Sequence, residues 1–214
     1  MRSKPIRILI YLFDGLTALD AIGPYESLSR LPEVEIGFVA RRSGPIRTGD
    51  DFLTLNADTG IEDEKEAAML IVPGGQRDAV RRELGDEALR TWIAAIDAAT
   101  IRTCSVCTGS LILGAAGLLK GRRASTHWGA RDYLPHFGAT YSGERVTRDG
   151  KYWTSAGVSA GIDLGLSLCA EIAGRDTAEA IQLSMEYDPD PPFAAGSFAD
   201  ATPERLTAVG KLRI

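Results

Sequence analysis

The chain has 214 residues, 44% of them hydrophobic and 25% charged, which is the balance of a soluble globular protein long enough for one sizeable core. A formal net charge of -5 gives no electrostatic footprint for nucleic acid or an anionic membrane. Three cysteines (Cys104, Cys107 and Cys169) make no disulfide framework, and His127 and His136 lack close ligand spacing, so neither disulfides nor a metal is expected. No signal peptide or membrane-spanning stretch is read from the sequence, so the expected location is the cytoplasm, and residues 1–214 read as one domain.

Ile6 to Phe13 is a near-continuous apolar run, predicted as a strand buried on both faces of a parallel sheet. Asp14-Gly15 breaks it, and Thr17 to Leu28 reads as a loop entering a helix, with Pro24 near the helix start. Val34 to Ala40 is a second strand, Arg41 to Asp51 a loop or hairpin, and Phe52 to Asn56 a short edge strand. Ala68 to Val72 is a third apolar strand that ends at Pro73-Gly74-Gly75-Gln76, where bare backbone N–H groups can face a ligand. Asp86 to Ala99 has helical periodicity in Leu89, Trp92, Ile93 and Ile96.

Ile101 to Leu119 then passes from strand formers to a small, apolar helix through Ser105-Val106-Cys107-Thr108-Gly109-Ser110. A sharp strand-to-helix turn places Cys107 at a helix N-terminus, where unpaired amides and the helix dipole favour an anion. The expectation is a depressed thiol pKa and a thiolate nucleophile. The alternative is one more buried cysteine at a small-residue helix start. The C-x-x-C spacing of Cys104 and Cys107 leaves a redox dithiol open, although a strand and an elbow point the two side chains apart.

Arg122 to Trp128 reads as a short strand and Ala130 to Phe137 as helix. Val146 to Arg148 and Tyr152 to Thr154 flank Asp149-Gly150 as a hairpin. Ser155 to Gly174 is a long small-residue helix and Thr177 to Met185 another; YDPDPP at 187–192 is extended, and a turn or two of helix starts near Pro203. Alternating strands and helices predict an α/β fold with a mostly parallel sheet, whose ligands sit beyond the carboxyl ends of the strands.

The PGG turn, the SVCTGS elbow and FDGLTALDAIGPYE, joined by THW, ERVTRDG, SAGVSAGID and QLSMEYDPDPPFAAGS in the same order, resemble the ThiJ/PfpI superfamily across most of the chain. The resemblance implies a flavodoxin-like three-layer sandwich with a nucleophile elbow, a homodimer, and no metal or organic cofactor. The set is most like the branch that hydrates small organic isonitriles to formamides. It implies Cys107 as nucleophile, Asp20 as the acidic residue beside it, and Thr108 as a residue associated with activity. Gly75 and Thr108 would offer amides to an oxyanion-like position, beside Gly74. Sensory domains of AraC-type regulators share much of the set, but residues up to Ile214 leave little room for their helix-turn-helix. The residue after the cysteine is Thr108 where peptidase-like members carry histidine, and Asp20 stands where members related to the Parkinson-associated protein carry glutamate. Glyoxalase- or deglycase-like chemistry, and a redox or ligand sensor using Cys107, remain the alternatives.

Asp20 between apolar neighbours reads either as an N-cap or as a buried acid/base with a raised pKa. His127 follows a predicted strand and is the histidine nearer the site, with a structural role as its plainer reading. Val158 and Ser159 are placed over the cysteine by the resemblance alone. Trp128, Tyr25 and Phe193 are candidates to line a pocket, against the commoner role of aromatic core.

Overall fold

The computed structural model describes residues 5–49 and 51–212. The chain runs β1 (Ile6–Tyr11), α1 (Ala18–Leu28), β2 (Val34–Ala40), a hairpin of β3 (Gly44–Arg47) and β4 (Thr54–Ala57), the short β5 (Thr59–Gly60) and β6 (Met69–Val72). It continues through α2 (Arg77–Gly85), α3 (Glu87–Ala99), β7 (Arg102–Val106) and α4 (Gly109–Ala115). Next come β8 (Arg123–Ala124), 3₁₀ turns over Trp128–Phe137, β9 (Thr140–Tyr141), β10 (Val146–Asp149) and β11 (Tyr152–Ser155). The last elements are α5 (Ala160–Ala173), α6 (Arg175–Ser184) and α7 (Pro203–Val209).

The central sheet has the order β10-β11-β7-β6-β1-β2-β5. Every pairing in it is parallel except that of β10 with β11, the hairpin turned at Asp149-Gly150. This is the α/β, flavodoxin-like fold expected. Ile8 to Leu12 and Met69 to Val72 are fully buried, because helices cover both faces of the central strands. Each such large apolar side chain contributes about 1.5–3 kcal/mol by leaving water. The chain leaves β1 toward β2 and returns to β6 on the opposite side of β1, so the strand order reverses between β1 and β6. That reversal opens a crevice at the carboxyl ends of the strands.

The structure revises several boundaries. Residues 52–56 do not form an edge of the main sheet; β4 pairs with β3 in a separate ribbon. Likewise β8 is only two residues long and pairs with β9, while Trp128 begins the 3₁₀ turns. The helix read from Ser155 starts at Ala160, since Ser155 is still in register with Val106 in the sheet. Pro24 lies well inside α1 and packs close to Gly161 of α5. Asp86 caps α3 by accepting the Leu89 N–H at 2.9 Å.

Gly109 is where β6 and α4 meet. A Cβ there would lie 2.0 Å from the Val72 carbonyl oxygen and 2.7 Å from that of Pro73, both backbone atoms. Gly109→Ala is expected to destabilise the fold by about 3 kcal/mol or more, the upper range of overpacking, which lowers the thermal midpoint by roughly 10 °C. A melting curve matching the wild type would contradict this packing.

Candidate active site

Cys107 follows β7 directly and has φ +57°, a left-handed conformation unusual for a residue with a side chain. Its N–H is shared between the carbonyls of Ser155 (3.2 Å) and Ala156 (3.0 Å). Its carbonyl accepts hydroxyls from Thr126 at 3.1 Å and Ser110 at 3.3 Å. The side chain is 5% exposed, and the backbone amides of Val158 and Thr108, with the Thr108 hydroxyl, donate toward its sulfur. Val158 itself has φ +38°, a strained angle for a β-branched residue. It sits in the short link between β11 and α5, beside the cysteine.

The expected low thiol pKa is not what this geometry produces. Burial first and the Asp20 carboxylate second push the Cys107 thiol up to about 12, and the three donors oppose them only in part. Helix α4 is seven residues long, so its dipole is weak against the loss of water around the sulfur. Cys104 is fully buried on β7, and its thiol is likewise pushed up to about 12 by burial. Both are free thiols.

Asp20 lies in the first turn of α1, whose N-cap is Thr17 rather than Asp20. The carboxyl group is completely buried. Oδ2 accepts the Gly74 N–H at 2.9 Å, while Oδ1 has no hydrogen-bond partner of its own among the described residues. Burial raises its pKa to about 7, against opposing contributions from the Gly74 amide and the Cys107 thiol. Of the two expected causes of a raised Asp20 pKa, burial and a neighbouring thiolate, burial acts as expected, while Cys107 lowers the value by hydrogen bonding.

Gly74 is closed in by both side chains: a Cβ there would lie 2.4 Å from Thr108 Oγ1 and 3.0 Å from Asp20 Oδ2. Only glycine admits the two residues to this corner. The Gly75 N–H, expected to face an oxyanion, donates instead to Thr108 Oγ1 at 3.1 Å. Both glycine amides thus organise side chains, and the donors directed at the sulfur come from Thr108 and Val158.

Asp20, Gly74, Gly75, Cys107 and Thr108 are brought together. His127 stands slightly apart, where its ring fills the space beside Gly157: a Cβ on that glycine would lie 2.5 Å from His127 Cδ2. Its Nδ1 accepts the Gly129 N–H at 3.2 Å, and burial lowers its pKa, which favours a neutral ring. The ring also lies 5.2 Å from Trp128, which stacks on Phe198 at 5.2 Å. Tyr25 packs on Phe38, and Phe193 is 77% exposed, so neither is drawn to Cys107. Sequence reasoning does not reach Thr126 or the carbonyls of Ser155 and Ala156; the hydroxyl directly before His127 in THW is the one signal it offers. A surface cavity of about 420 Å³ is lined by Arg41, Trp92 and Ile96 among others and by none of the residues around Cys107. Among the described residues, no group of three or more His, Cys, Asp or Glu side chains is placed to hold a metal ion, and no helix is long and apolar enough to cross a membrane.

A mostly parallel α/β sheet with a left-handed cysteine on the strand-to-helix turn at its carboxyl edge defines a flavodoxin-like α/β protein. The chain belongs to the DJ-1/PfpI family, which it matches over residues 6–171. It is 41% identical over 208 residues to the isonitrile hydratase of Pseudomonas putida, covering 97% of this chain and 90% of that protein. A deglycase of Pyrococcus abyssi is 30% identical over 155 residues, covering 72% of this chain and 90% of that protein. The crystal structure of a ThiJ/PfpI family protein from Pseudomonas syringae superposes with a TM-score of 0.92 at 38% identity, covering 96% of this chain and 85% of that one.

Proposed function

We propose that the protein is an isonitrile hydratase, converting R–N≡C and water to the N-substituted formamide R–NH–CHO. The observation that carries the reading is the buried Asp20 carboxyl group, with a pKa of about 7 and an Oδ1 unpartnered among the described residues, beside the thiol of Cys107. The terminal carbon of an isonitrile must accept both a nucleophile and a proton. A thiol and a carboxylate that share one proton supply the two together.

In the first step Asp20 takes the Cys107 proton and passes it to the isonitrile carbon, whose lone pair forms the new C–H bond. Sulfur bonds to the same carbon, and a π pair moves onto nitrogen, giving the neutral thioimidate R–N=CH–S–Cys107. Water then adds to that carbon as Asp20 takes one of its protons and delivers it to the imine nitrogen, giving R–NH–CH(OH)–S–Cys107. As the C–S bond breaks and returns its electron pair to sulfur, Asp20 relays the remaining hydroxyl proton to that sulfur, which leaves the formamide R–NH–CHO and restores the thiol. Thr108 and the amides directed at the sulfur orient the intermediate, and Gly74, Gly75 and His127 complete its walls. The same reading includes a small organic isonitrile as substrate, a homodimer in the cytoplasm, no nucleic-acid partner, and no metal or organic cofactor.

The second reading is deglycase- or glyoxalase-like chemistry on the same cysteine, favoured by the 30% identity to the deglycase. The assay that separates them follows formamide from a simple alkyl or aryl isocyanide and lactate from methylglyoxal with freshly reduced protein. Formamide without lactate is expected. Lactate without formamide would replace the first reading by the second, and stable oxidation of Cys107 with neither product would favour a sensor.

A further inference from the structure

We propose that Thr126 is a positioning residue for Cys107: by binding its carbonyl, Thr126 aims the Thr108 amide at the reacting sulfur. The Cys107 carbonyl and the Thr108 N–H belong to one peptide group, and among the described residues no peptide bond is cis. In a planar trans peptide the two point in opposite directions, so fixing one fixes the other. The Thr126 hydroxyl donates to the carbonyl at 3.1 Å, and the Thr108 N–H donates toward the sulfur.

The carbonyl needs an external donor. Helix α4 begins at Gly109, and the Leu111 N–H bonds to Thr108 O at 3.0 Å, which leaves Cys107 O outside the helical ladder. Ser110 assists at 3.3 Å from within the helix. Thr126 is fully buried and comes from a different part of the chain. Its neighbour Ser125 is tied down by Thr154 Oγ1, 2.7 Å from the Ser125 N–H, and by Thr147 Oγ1, 2.8 Å from the Ser125 hydroxyl. The elbow is therefore clamped from outside, and the left-handed angle at Cys107 is held by contacts rather than by the local sequence.

The inference rests on Cys107 being the reacting group, as in the proposed function, but not on the substrate. Alkylation by iodoacetamide reads it without an isonitrile, using Cys107→Ala as the blank, so lack of isonitrile turnover would leave it standing. Thr126→Val keeps the shape and removes the donor. Its second-order alkylation rate, measured against pH on folded protein, is expected to fall roughly three- to tenfold, the worth of one hydrogen bond. Thr126→Ser is expected to restore the rate. A purely structural role moves the rate the other way, because a loosened elbow exposes the thiol and speeds alkylation. If Thr126→Val does not fold, Thr126→Ala carries the same test. A hydroxyl-free variant reacting at or above the wild-type rate, or a serine variant as slow as the valine one, would overturn the proposal.

Discussion

Replacing Cys107 by alanine is expected to lower isonitrile turnover by about four orders of magnitude or more, the usual consequence of losing a covalent nucleophile. The fold should survive. The side chain is small, and the backbone bonds holding the left-handed turn, to Ser155, Ala156, Thr126 and Ser110, do not involve the sulfur. Loss of one buried sulfur costs about 1 kcal/mol, so the melting midpoint moves by a few degrees at most. Alanine separates covalent catalysis from general acid catalysis by Asp20 alone. If Asp20 simply protonated the isonitrile carbon for attack by water, Cys107→Ala would retain most of its turnover. Retained turnover of that kind would remove the thioimidate from the mechanism.

The framework that places this cysteine is legible in the sequence because its signals are local. The runs in β1 and β6 are apolar throughout, as strands buried on both faces must be, and the Asp149-Gly150 turn announces its hairpin. Helix α2 is not legible in the sequence because only Ala79 and Val80 are buried in RDAVRRELG, which leaves little apolar periodicity. The two-residue β5 carries no pattern at all. Within the site, the strand-to-helix turn marks Cys107 as a candidate and the resemblance adds Asp20 and Thr108, but neither tells how their environment charges them. The rise in the thiol pKa comes from burial and from a carboxyl group 87 positions away in the chain. The Gly75 amide is spent on Thr108, and the Cys107 carbonyl is held by Thr126; both contacts join separate segments. Val158 is the clearest case, since a β-branched side chain is the least expected occupant of a left-handed angle. Such a conformation is imposed by its surroundings and leaves no trace in composition.

Asp20→Asn is expected to change both the pH dependence of stability and that of catalysis. The native carboxyl group has a pKa of about 7, against an ordinary value of 3.8. Between these values the folded protein keeps a proton that the unfolded chain releases. The stabilisation from the buried neutral acid is therefore present below about 4, is lost as pH rises, and is gone above about 7. Three units correspond to about 4 kcal/mol. Asparagine does not titrate, so the stability difference between variant and wild type should move by about that amount in the variant's favour from pH 4 to pH 8. A constant penalty for the new buried NH₂ group, placed where Oδ1 had no partner, shifts the whole curve without changing this slope. Denaturant unfolding at the two pH values measures it, and a difference that stays level would mean that Asp20 is not a buried neutral acid. In catalysis the active form of the Asp20–Cys107 pair holds one proton, so wild-type kcat/KM should rise through an apparent pKa near 7 that belongs to the pair. Asparagine cannot relay that proton, and the variant's residual rate should be low and flat across the same range. A variant that keeps the wild-type profile would transfer the acid–base role to another group.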